Sequence, residues 1–105
     1  MSTFADLSRP LTLLRQLAAE HPDLPAPHID VSSIFPKQVE FSFHNSLSDF
    51  EAWRAALHID PQCIEHHLQG GDTTICLKVS AEFGDARIRL VGYGQNLALL
   101  RAVAA

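Results

Sequence analysis

Cys63, Glu65, His67 and Cys76 are the residues whose types and spacing come nearest to a reactive set. Thiolate, carboxylate and imidazole are the ligand types of zinc, and residues two apart on an extended strand point the same way. A strand over 62–69 turns Cys63, Glu65 and His67 to one face. If Gly70-Gly71 makes a two-residue turn into a second strand over 72–82, Cys76 joins that face opposite Glu65, and Lys78 shares it. The chemistry would be metal binding or metal-dependent catalysis. No C-x2-C or H-x3-H pair occurs within the set, so two half-buried thiols and a solvated histidine are the competing reading.

Three other groups of residues have chemical potential. His28 and Asp30 point the same way on an extended segment and make an imidazole–carboxylate pair suited to general-base work, but no nucleophile in a recognisable elbow accompanies them. Trp53 and Arg54 are adjacent residues of the types enriched at interface hot spots; the alternative is that Trp53 belongs to the core. Lys78, Arg87 and Arg89 can form a local basic patch, against the simpler reading of a solvated sheet face. Neither a G-x-x-x-x-G-K-[ST] loop, a G-x-G-x-x-G turn, an H-E-x-x-H helix nor a G-x-S-x-G elbow occurs. Phosphate-loop and common hydrolase chemistry are therefore not indicated, and no cofactor is implied.

The elements that must position these residues follow from apolar periodicity. Residues 1–9 read as frayed. Pro10 suits an early helical position, and Leu11, Leu14, Leu17 and Ala18 form a stripe that runs to about His21. Three prolines between Pro22 and Pro27 make a stiff connector. Residues 28–32 read as extended, followed by a Ser-Ile-Phe-Pro turn and a strand in which Val39, Phe41 and Phe43 alternate with polar residues. A helix then carries Leu47, Phe50, Trp53 and Leu57; Ser46 or Ser48 can cap it, and Ser48 with Glu51 has the spacing of a capping box. Gly84 sits at the first central position of a two-residue type II′ turn. That turn pairs Phe83 with Ala86, Ala81 with Ile88, Val79 with Leu90 and Leu77 with Gly92, and places Glu82 across from Arg87. Gly92 and Gly94 read as ending the strand ahead of a short helix capped by Asn96. The expected fold is α+β, one domain over 1–105, with a five-stranded antiparallel sheet, helices on one face and the order α-β-β-α-β-β-β-α.

The chain has 105 residues, 47% hydrophobic and 19% charged, enough for one core without metal or disulfide staples. Net charge is −4, unevenly spread: residues 1–72 hold 4 basic and 10 acidic side chains, and residues 73–105 hold 4 and 2. An acidic total disfavours non-specific nucleic-acid binding. No apolar run approaches the roughly 20 residues that cross a bilayer, so the expectation is a cytoplasmic protein that does not enter the membrane.

The segment Leu24-Pro25-Ala26-Pro27-His28-Ile29-Asp30-Val31, followed by Phe50-Glu51-Ala52-Trp53-Arg54-Ala55-Ala56-Leu57, resembles small actinobacterial and mobile-element-associated proteins of unassigned activity. The resemblance spans residues 10–93. It implies a bacterial cytoplasmic setting and a phage or mobile-element context, and carries over no functional residue. The leading expectation is a non-catalytic protein-binding or regulatory module that self-associates as a homodimer. The alternatives are a small metal-binding protein or metal-dependent enzyme, and an acidic inhibitor of the immunity or anti-repressor type with a basic partner.

Overall fold

The computed structural model describes residues 3–44, 46–69 and 74–95. Helix α1 spans Ser8–Glu20, strands β1 and β2 span His28–Ser32 and Phe35–His44, and helix α2 spans Leu47–Ala56. Strands β3, β4 and β5 follow at Glu65–Gln69, Thr74–Phe83 and Ala86–Gln95. The C-terminal helix expected from Asn96 onward lies outside the described residues, as does the Gly70-Gly71 turn. Among the described residues, no helix is long and apolar enough to cross a membrane.

The strands form one sheet in the order β1-β2-β5-β4-β3. It is α+β as expected, but the sheet is mixed: β2 and β5 run parallel, and every other neighbouring pair is antiparallel. The parity of chain reversals explains the difference. α2 returns the chain so that β3 runs in the sense of β2, and two further reversals bring β5 back to that sense.

Side-chain alternation then sorts the two faces. Val39, Phe41 and Phe43 stand beside Ile88, Leu90 and Gly92, and Val79, Ala81 and Leu77 align with Leu90, Ile88 and Gly92 from the other side. The β4–β5 register is the one that a two-residue turn at Gly84 demands. Gly84 has φ +58° while Asp85 stays out of the left-handed region, as a type II′ turn requires. Both helices cover this apolar face, and Phe41, Phe50, Ile88, Leu90 and Val39 are its most deeply buried side chains.

Several local expectations change. Residues 4–7 coil as a 3-10 turn, with the Thr3 N–H donating to Asp6 Oδ2 at 2.9 Å, instead of fraying. The buried stripe of α1 is Pro10, Leu13 and Leu17, and Leu11 is 40% exposed, because the proline ring takes the first core position. The turn after β1 is only Ser33-Ile34; β2 begins at Phe35, and a register shift between Val31 and Ser32 accommodates the extra residues around Pro36. Pro36 lies ahead of Gln38, where the pairing with β5 begins, so its missing N–H costs no bond on that side.

α2 starts from Ser46, whose side chain makes no capping bond, and Glu51 turns to Arg54 instead of closing a capping box with Ser48. The helix ends in a Schellman motif: Ile59 N–H donates to Arg54 O and His58 N–H to Ala55 O, both at 3.1 Å. The left-handed position belongs to His58, φ 58°, where glycine is the usual occupant.

Gly92 and Gly94 do not end β5; they seat α2. A Cβ on Gly92 would lie 3.0 Å from Phe50 Cγ, and one on Gly94 would lie 2.6 Å from Leu47 Cδ1. Phe50 is fully buried and cannot yield without displacing the core. Gly92→Ala is expected to destabilise the fold by about 1–3 kcal/mol, the usual cost of overpacking, measured by urea unfolding; wild-type stability in that variant would contradict close seating of α2. His58→Gly is expected to stabilise by about 0.5–1 kcal/mol through relief of the left-handed backbone, and an unchanged or lower unfolding midpoint would show that His58 carries no strain.

Candidate functional site

The face of the sheet away from α1 and α2 carries most of the singled-out residues. The β3–β4 register differs by two residues from the one expected, so His67 stands opposite Cys76 and Glu65 opposite Lys78. The parity of the faces is kept, but the partners change, with Gln69 paired to Thr74. Cys63 is not on a strand. It ends a 3-10 turn, Pro61–Cys63, started by the Asp60 carboxylate accepting from the Gln62 N–H at 2.9 Å.

The four candidate metal ligands therefore do not converge. Cys63 is exposed and Cys76 is buried, both as free thiols, while His67 Nε2 lies 3.5 Å from Glu65 Oε2 at the exposed strand. Among the described residues, no group of three His, Cys, Asp or Glu side chains is placed to hold a metal ion.

The basic residues are matched by acids. Arg87 Nε donates to Glu82 Oε1 at 2.8 Å, Lys78 stands across from Glu65, and Arg89 stands beside Glu40. Instead of a basic patch, the cations are set singly beside carboxylates, with Cys76 and Val91 buried on the same face. His28 and Asp30 lie on the exposed edge strand β1, and His28 meets the edge of His44 at a centroid distance of 6.3 Å.

Trp53 belongs to the core. It is 4% exposed, packs edge-on to Phe41 at 4.9 Å, and donates its indole N–H to Pro25 O at 2.7 Å, which fastens the proline connector to α2. Arg54 is likewise engaged within the molecule. Its Nε donates to Glu51 Oε2 at 2.8 Å, its Nη2 to Glu51 Oε1, and its Nη1 to Ile59 O at 2.6 Å. The guanidinium so placed holds the Glu51 carboxyl below its usual range. Trp53 and Arg54 thus present little to a partner and instead tie the C-terminal half of α2 to the α1–β1 connector at Pro25 and to the segment after the helix at Ile59.

Two features are absent from the reading by pattern alone. The His44 imidazole stacks on Tyr93 at 5.2 Å with 7° between the planes, a contact created by the parallel pairing of β2 with β5. The other is apolar: Ile29 is 47% exposed, Ile34 78% and Phe35 59%, along β1 and its turn into β2. A signal for the latter was present, since two consecutive large apolar residues in a Ser-flanked turn break the rule that turns are polar. Ile34, Phe35 and Pro36 also line a recess of about 430 Å³ with Glu82 and Arg87 at its rim.

No protein-family model, curated protein or solved structure matches this chain.

Burial, and then the neighbouring Cys76, pushes the Tyr93 phenol above the usual tyrosine range. Tyr93 is the sole tyrosine of the chain, so phenolate absorbance reports it alone. The titration is expected above that of the unfolded chain, with fold stability falling as pH rises through the interval between the two values. Coincident folded and unfolded titrations would contradict the shielding of Tyr93.

Proposed function

We propose that this chain is a non-catalytic protein-binding module whose contact surface is the β1 edge and the β1–β2 turn. The observation that supports it is the exposure of Ile29, Ile34 and Phe35 along one margin of the sheet. Scattered exposed apolar residues are ordinary, whereas a cluster of them beside an open strand edge marks an interaction surface. The opposite edge, β3, presents Glu65, His66 and His67 beside one exposed apolar residue, Leu68.

The partner favoured by this margin is a second copy. Its recess mixes apolar walls with carboxylates and cations, Glu82 and Asp85 against Lys37 and Arg87, a combination that complements itself when two copies meet. The resemblance to actinobacterial and mobile-element proteins adds a bacterial setting to the reading.

Sedimentation velocity over a wide concentration series tests it. The wild type is expected to shift from monomer to dimer, and the double variant Ile34→Asp, Phe35→Asp to remain monomeric with unchanged circular dichroism. A wild type that stays monomeric at every concentration would overturn the reading.

A further inference from the structure

We infer that two copies pair through β1, antiparallel, about a two-fold axis at Ile29 that stands normal to the sheet, so that both sheets become continuous. The inference rests on the reading of this chain as a self-associating module and supplies its geometry.

The charges along β1 select the register. Asp30 stands opposite Glu40 of β2, and two carboxylates directly opposed across a ladder repel. Glu40 has Arg89 on its far side, but the far side of Asp30 is the open edge of the sheet. An axis at Ile29 brings the partner's His28 to that position. By symmetry it also places the partner's Asp30 beside His28, so each copy contributes one half of two imidazole–carboxylate contacts.

The other face agrees. Ile29 shares the helix-bearing face with Phe41, its neighbour in β2, yet is 47% exposed because no strand lies beyond it. The axis sets Ile29 against the partner's Ile29 and covers both. An axis at Asp30 would instead oppose two aspartates. One at Val31 would set Asp30 against the partner's Ser32 and leave its carboxylate without a cationic neighbour. Only the register centred on Ile29 satisfies both faces.

A charge swap tests the register. His28→Asp sets a second carboxylate against the partner's Asp30, and Asp30→His opposes two imidazoles; each is expected to raise the dimer dissociation constant, His28→Asp by roughly tenfold because the axis repeats every contact twice. The double variant His28→Asp, Asp30→His rebuilds both contacts with the two side chains exchanged and is expected to restore dimerisation. Independently, directly opposed Cβ atoms lie about 4.5–5.5 Å apart, near disulfide reach. In a Cys63→Ser background, Ile29→Cys is therefore expected to cross-link under mild oxidation and Asp30→Cys is not. A wild-type dimer that ignores the swaps and does not cross-link at residue 29 would overturn the axis while leaving the protein-binding reading intact. A wild type that never dimerises would overturn both.

Discussion

The parallel pairing of β2 with β5 is the constraint on which the rest of the structure depends. It aligns Val39 with Ile88 and Phe41 with Leu90 at the centre of the sheet, and those four side chains are almost wholly withdrawn from water. Burial of this kind is the main favourable term in folding. The pairing also leaves Gly92 and Gly94 on the covered face, where their missing side chains let α2 approach the backbone of β5. From that seat Trp53 reaches the connector at Pro25, and Arg54 reaches Ile59. The α1–β1 connector and the segment that follows α2 are thereby both fastened to the helix seated on β5.

A central pair of this kind leaves the chemistry to the margins. On the face away from α1 and α2, Cys76 and Val91 are buried and the cations stand beside carboxylates, which suits solubility and supplies no concentrated field for an anionic partner. A run of exposed apolar residues, Ile29, Ile34 and Phe35, lies instead along β1 and its turn into β2, at the edge of the sheet farthest from β3. This separation is physically consistent: a strand paired on one side only has an unfilled ladder and an incomplete apolar face, and both deficits are met by the same event, the arrival of another strand.

Much of the fold was legible in the residues because it is local. The β4–β5 register follows from Gly84 and from apolar pairs that all agree with it, and the Glu82–Arg87 contact follows from that register. The stripe of α2 followed from the spacing of Phe50, Trp53 and Leu57. The largest part that was not legible is non-local. Nothing in β2 or β5 separately states that they are neighbours, so the parallel pair and the His44–Tyr93 stack it creates were out of reach. Position 58 conceals a helix-ending motif because histidine stands where glycine would announce it. The candidate metal ligands do not converge for a different, local reason: period two places Cys63 on a strand, but Pro61 and the Asp60 cap close a turn there first.

A nuclear Overhauser map of the backbone tests the central pair most directly. Antiparallel neighbours bring Hα atoms of non-hydrogen-bonded pairs close together, whereas parallel neighbours do not. Strong cross-strand Hα–Hα contacts are predicted between β4 and β5 and between β1 and β2, with only amide–Hα contacts joining β2 to β5 around Phe41 and Leu90. Strong Hα–Hα contacts between β2 and β5, or none of any kind, would contradict the parallel pairing.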